Sequence, residues 1–209
     1  MSRFYLFLLV LLTSLSVQAR EYRHLLSNQS DLTFSYRQMG VPMEGKFSRF
    51  TGDIIFNPGD TSTANIRFDV DLSSIDVGYA DGNEEILGVQ WLNVEAHPTA
   101  TFQSNKIITL GNDQFETQGQ LTIKGKTLAI SAPFAMTTGT DAAVFTGSFT
   151  LNRLDFGIGE GIWSDVGVVA NEIAINFVLS ANSTSGSADQ TKTNAKPKRS
   201  TQKTKGEIP

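Results

Sequence analysis

The segment Asn65-Ile66-Arg67-Phe68-Asp69-Val70-Asp71-Leu72 alternates polar and apolar residues without a break. Side chains of an extended chain point alternately to opposite faces, so Ile66, Phe68, Val70 and Leu72 share one face and the charges the other. The same parity joins Leu32, Phe34 and Tyr36; Phe115, Leu121 and Ile123; Phe145, Phe149 and Leu151; and Ile173, Ile175, Phe177 and Leu179. Turn residues punctuate these runs at Asn57-Pro58-Gly59-Asp60, Gly111-Asn112-Asp113, Lys124-Gly125-Lys126 and Thr138-Gly139-Thr140-Asp141; the last three are short enough for hairpins. The pattern predicts eight strands, mostly antiparallel, near 31–39, 45–56, 63–72, 98–109, 113–124, 126–138, 142–152 and 170–181.

Single-sided strands must bury their apolar faces together. A sandwich does so, and so does a closed barrel, which also removes exposed edges. Long strands with hairpin connections favour the barrel. Eight strands enclose an interior that side chains just fill or that holds one small ligand, and periodicity does not choose between the two. Between Asp81 and Leu92 apolar residues instead recur three and four apart, behind acids placed where a helix dipole favours them. A short helix or helical turn is expected there, lying on or beside the sheet, with Gly88 weakening it and Pro98 ending the connection.

The N-terminal MSRFYLFLLVLLTSLSVQA has a positive start at Arg3, an apolar run from Phe4 to Leu12, and a small-residue cleavage site at Val17-Gln18-Ala19. That is the layout of a secretory signal peptide over 1–19, and the apolar core is too short for a membrane span. A protein exported to the periplasm is expected, with a domain over 20–181. The chain has no cysteine, so neither disulfides nor thiolate chemistry are available and the fold must hold by burial. Charge is unevenly placed. Residues 20–180 carry ten Lys and Arg against nineteen Asp and Glu, a net −9. Residues 181–209 carry six basic against two acidic residues, a net +4. An acidic body excludes nucleic acid as the expected partner, because neutralising phosphates needs a basic surface. The tail over 182–209 is rich in Ser, Thr, Lys and Asn and buries too little to offset its ordering entropy, so it is expected to be disordered. Its basic residues could touch anionic lipid headgroups, but a solvated tail is the simpler expectation. A homodimer is left open.

Catalytic constellations are missing from the sequence. The two histidines, His24 and His97, belong to no recognisable metal or triad pattern, and there is no nucleophile elbow or phosphate loop. Gly157-Ile158-Gly159-Glu160-Gly161 has no helix after it to complete a phosphate site, so a flexible loop is expected. Asp69 with Asp71, and Glu84 with Glu85, read as solvated charge. A catalyst is not expected, and neither a cofactor nor a metal is implied.

Five short patterns, in order, resemble the YceI-like family. Gly45-Lys46-Phe47-Ser48-Arg49-Phe50-Thr51-Gly52 resembles its G-x-F-x-x-F-x-G strand, and Ser74-Ile75-Asp76 its S-I/V-D strand end. His97-Pro98-Thr99-Ala100-Thr101-Phe102-Gln103-Ser104 resembles its Y/H-P-x-A-x-F-x-S segment. The hairpin from Gly119 to Thr127 resembles its G-x-L-T-I-x-G-x-T, and Asn152-Arg153-Leu154-Asp155-Phe156-Gly157 its N-R-x-D-F-G turn. The resemblance covers roughly 31–181. It implies an eight-stranded antiparallel lipocalin-like β-barrel with one short helix against it, and a lumen for a long isoprenoid lipid such as a polyprenyl phosphate or a quinone tail. Two departures stand out: Gln38-Met39-Gly40 replaces the family's frequent His-x-Gly, and the linker reads Asp81-Gly82-Asn83-Glu84-Glu85 where Lys and Arg are common. If such basic residues hold a ligand's phosphate, this chain is expected to prefer a neutral head group or a different lipid.

A hydrocarbon tail is driven into an apolar tube at about 25 cal/mol per Å², and tube dimensions with a few polar groups supply specificity. The inward-parity residues Phe34, Phe68, Phe102, Phe115, Phe149, Ile175 and Phe177 are the candidate wall, although each serves equally well as plain core. Phe47 and Phe50, three apart, face opposite ways unless a bulge intervenes, which puts one of them outside or under the helix. Met39 and Met43 are a candidate rim, core filler or exposed loop being the simpler reading. Arg153 is a candidate for a head group at the mouth; a turn-closing salt bridge to Asp155 is the favoured alternative. Three readings follow: a lipid carrier with a hollow barrel, an interaction module with a filled barrel that engages a membrane or periplasmic protein, and an isoprenoid-acting enzyme should acids gather with His97 at the mouth.

Overall fold

Period-two patterning becomes one antiparallel sheet that closes on itself. A computed structural model describes residues 20–185; the expected signal peptide and the tail beyond 185 lie outside the described residues. The strands are β1 (Arg20–Leu25), β2 (Asp31–Gln38), β3 (Val41–Phe47), β4 (Phe50–Phe56), β5 (Asn65–Asp71), β6 (Ile75–Asp76), β7 (Thr99–Gly111), β8 (Gln114–Ile123), β9 (Lys126–Thr138), β10 (Ala142–Asn152) and β11 (Glu172–Ser185), with, among the described residues, one α-helix, α1 (Ala80–Glu85), and short 3-10 turns.

Eleven segments make an eight-stranded barrel because the first three strands are broken. β11 is the seam: Ala174–Val178 pair with β2, and Ala181–Ser185 pair with β1. β2 pairs β3 and β3 pairs β6, while β1 pairs β4 and β4 pairs β5. Thus β1/β2, β3/β4 and β5/β6 are each one strand with a step in it. Unbroken hairpins carry the sheet from β7 through β8, β9 and β10 to β11, and β5–β7 pairing completes the ring. The expected turn at 124–126 is a two-residue hairpin with both central residues left-handed, Lys124 at φ 49° and Gly125 at φ 74°, the twist that suits a tight β-hairpin.

Four features depart from expectation. β1 was not anticipated, since its six residues bury only Tyr22 and its pairing shifts register between Tyr22 and His24. The expected strand over 45–56 is interrupted at Ser48 and Arg49, where the Arg49 N–H donates to Ser74 Oγ (3.0 Å) and the Ser48 N–H to the Ser74 carbonyl (3.3 Å). This step plays the part of a bulge, so Phe47 and Phe50 both face the interior and neither lies outside. The last strand also runs past 181, to Ser185. The expected helix shrinks to α1; beyond Glu85 the chain continues through turns, with the Gly88 N–H bonded to the Glu85 carbonyl (3.0 Å) and the Leu92 N–H to the Ile86 carbonyl (3.1 Å).

Four wall phenylalanines rest on strand glycines. Phe34 lies over Gly45, Phe68 over Gly52, Phe102 over Gly119 and Phe177 over Gly147, each ring occupying the space a Cβ would need. Each ring therefore lies along the wall. Gly147→Ala drives its methyl into the Phe177 ring and the Pro133 carbonyl; overpacking of this kind costs about 1–3 kcal/mol. Chemical denaturation should show a loss in that range, and a variant as stable as the parent would contradict the packing described.

Candidate functional site

The barrel interior holds a one-ended apolar cavity of about 290 Å³. Its floor is aromatic: Phe56, fully buried, meets Phe134 and Phe145 edge-on at 6.0 and 5.6 Å between ring centroids. Of the predicted wall residues, Phe34, Phe68, Phe102, Phe149, Ile175 and Phe177 all line the cavity. Register explains the grouping. Phe149 faces Ile175 and Ile175 faces Phe34 across β10, β11 and β2, while Phe68 faces Phe102 across β5 and β7. Phe115 is placed differently: it lies behind the floor, stacked on Phe134 at 5.4 Å and edge-on to Phe56 at 5.1 Å. Parity alone sent it inward, but its position near the start of β8 puts it in the plug.

The other end opens where the ring is incomplete. β6 pairs only with β3, and residues 77–98 fill the space between it and β7. Val77, Tyr79, Glu85, Ile86 and Trp91 from this segment join Tyr36, Gln38, Trp163 and Val169 around the mouth. Burial pushes the Tyr36 phenol above its ordinary pKa, and Tyr79 adds in the same direction, so Tyr36 stays a hydrogen-bond donor at neutral pH.

Arg153 organises this end. It is 1% exposed, and all five of its N–H groups donate to main-chain carbonyls. Nε reaches Ala170 (3.1 Å), Nη1 reaches Ile158 and Gly159 (2.8 and 3.0 Å), and Nη2 reaches Trp163 and Val169 (2.7 and 2.8 Å). Its Cζ lies 5.6 Å from the centre of the Trp91 ring, a cation–π contact. The expected salt bridge to Asp155 is not formed; Asp155 accepts from Asn152 Nδ2 (3.2 Å) instead. The expected flexible loop at 157–161 is a loop folded around this guanidinium, with Gly157 and Gly159 left-handed at φ 72° and 76° and Gly159 too close to Arg153 for any side chain. Burial lowers the Arg153 pKa, yet a guanidinium keeps its charge in a protein.

Glu85 ties the two mouth loops together. Its Oε1 accepts from Trp91 Nε1 (3.2 Å) and Trp163 Nε1 (3.0 Å), and the indoles pack with centroids 5.3 Å apart. The Gly159 and Glu160 N–H groups both donate to the Gln90 carbonyl (2.8 Å). Around the mouth the lining therefore offers phenols, an amide and a carboxylate, while its one guanidinium has no N–H left for a ligand. Met39 is exposed at the β2–β3 hairpin tip and Met43 half-buried on β3; neither lines the cavity. His97 packs on the Gly125 turn and His24 sits in β1 at the floor end, so the two are not brought together. Among the described residues no three His, Cys, Asp or Glu side chains group as metal ligands.

Sequence reasoning missed the mouth residues Tyr79, Glu85, Trp91 and Trp163. They stand on non-periodic connections, although both tryptophans of the chain falling in its two longest connections was a usable signal.

A closed antiparallel barrel with an apolar lumen, floored by aromatics and roofed by loops, is a barrel of the lipocalin-like kind. The chain belongs to the YceI-like domain family, whose pattern matches residues 24–181. It is 29% identical over 158 residues to a UPF0312 protein of Shewanella baltica, covering 72% of this chain and 80% of that one. The crystal structure of BcnA from Burkholderia cenocepacia is similar at 30% identity and a TM-score of 0.73, covering 75% of this chain and 99% of BcnA. A polyisoprenoid-binding domain from Saccharophagus degradans shares the fold at 14% identity and a TM-score of 0.62, over 80% of this chain and 99% of that domain.

Proposed function

We propose that this protein is a non-catalytic carrier that holds a long-chain isoprenoid lipid in its barrel lumen after export to the periplasm. The observation that carries the reading is the one-ended apolar lumen, kept open by aromatic rings lying on strand glycines. The description of the Saccharophagus degradans domain as polyisoprenoid-binding supports the same ligand class, and the signal-peptide layout of residues 1–19 supports export. Between a phosphate and a quinone head group, the lining favours the neutral quinone. A phosphate in an apolar lumen needs a cation, and Arg153 already spends every N–H on carbonyls.

Native mass spectrometry of protein purified from its own periplasm, followed by organic extraction, tests this. A stoichiometric adduct that extracts as an isoprenoid quinone is the expected result. Addition of the lipid to stripped protein should also shift tryptophan emission, because both tryptophans line the mouth. A clean apo mass with no uptake of added prenyl lipid would overturn the reading in favour of an interaction module.

A further inference from the structure

Thr117 is out of place in a lumen built only for hydrocarbon. It stands on the inward face of β8 between Phe115 and Gly119, opposite Ile107 on β7 and Ala132 on β9. It is 7% exposed and lines the lower part of the cavity, one pleat above the plug. Its Oγ1 has no hydrogen-bond partner, and among the described residues it is the single buried side-chain polar atom in that condition. A buried hydroxyl left unpaired is costly, and valine would fill the same shape without that cost. Water is a poor remedy, because a buried water needs roughly two or more polar partners and the lining nearby is Ala132, Phe134 and Phe56.

We propose that the Thr117 hydroxyl is a ligand-binding group at the deep end of the lumen, donating to an oxygen on the inner end of the bound lipid. This rests on the carrier reading and extends it: the ligand enters oxygen first, its carbonyl or hydroxyl on Thr117 above the aromatic floor and its chain running toward the mouth. A neutral oxygen suits the site, since the surrounding floor carries no charge to meet an anion.

Geranylgeraniol and the matching hydrocarbon without the oxygen, titrated into wild type, Thr117→Val and Thr117→Ser and followed by tryptophan emission, test the proposal. The ratio of alcohol to hydrocarbon affinity should fall about five- to tenfold in Thr117→Val, the worth of one hydrogen bond, while Thr117→Ser keeps it. Hydrocarbon affinity and thermal stability should not fall in the valine variant; if that variant does not fold, Thr117→Ala gives the same comparison. An unchanged ratio would overturn the proposal and leave the carrier reading standing. Failure of wild type to bind either probe would overturn both.

Discussion

Replacing Arg153 with methionine is expected to destabilise the protein by about 3 kcal/mol or more, because it strips several buried carbonyls of their donor at about 1–3 kcal/mol each. The methionine fills much of the volume but leaves the carbonyls of Ile158, Gly159, Trp163, Val169 and Ala170 without their donor. Opening of the loop to water is what limits the total. Arg153→Lys should recover little, because an ammonium with three donors on a point cannot reproduce a planar fork serving five carbonyls. Denaturant unfolding gives the magnitude, and hydrogen exchange should show amides of residues 157–170 losing protection before those of β7 to β10. A loss within about 0.5 kcal/mol, the level of ordinary surface substitutions, would show that the guanidinium does not hold the mouth together.

The second large effect concerns binding. Ile175 sits at mid-wall between Phe149 and Phe34, on the longest strand of the barrel. Ile175→Trp places an indole across the lumen. If that excludes about five carbons of a prenyl tail, at about 0.8 kcal/mol per buried carbon, the loss is about 4 kcal/mol, or roughly a thousandfold in Kd. Folding should survive, because the indole enters space that is already empty and strands accept aromatics. Calorimetric titration with an isoprenoid quinone and a thermal melt separate the two effects. Unchanged affinity in a folded variant would mean that the lipid does not occupy this part of the barrel.

How much of this was legible beforehand follows from where each residue stands. Phe34, Phe68, Phe102, Phe149, Ile175 and Phe177 lie in unbroken runs, and alternation alone sends them to one face. Phe115 lies in such a run too, yet sits behind the floor, because parity gives the side of a strand but not the depth along the barrel. Phe47 and Phe50 defeat parity altogether: their strand steps at Ser48 and Arg49, pinned by Ser74 from a segment 25 residues further on. Arg153 could be picked out but not understood. Its five partners lie 5 to 17 residues downstream, on a loop with no period of its own.

Strand number, the identity of most wall residues and the hairpin turns were set by the sequence itself, because each depends on neighbours one to four positions away, and the absence of cysteine alone removes thiol chemistry. Only the tertiary structure decided that the barrel is hollow, that it is plugged at one end, and that its lining leaves one hydroxyl unpaired. A cavity is the difference between the volume a closed ring encloses and the volume its side chains fill. That difference is determined by pairs such as Phe102 over Gly119 and Phe177 over Gly147, whose members meet only once separate strands have come together.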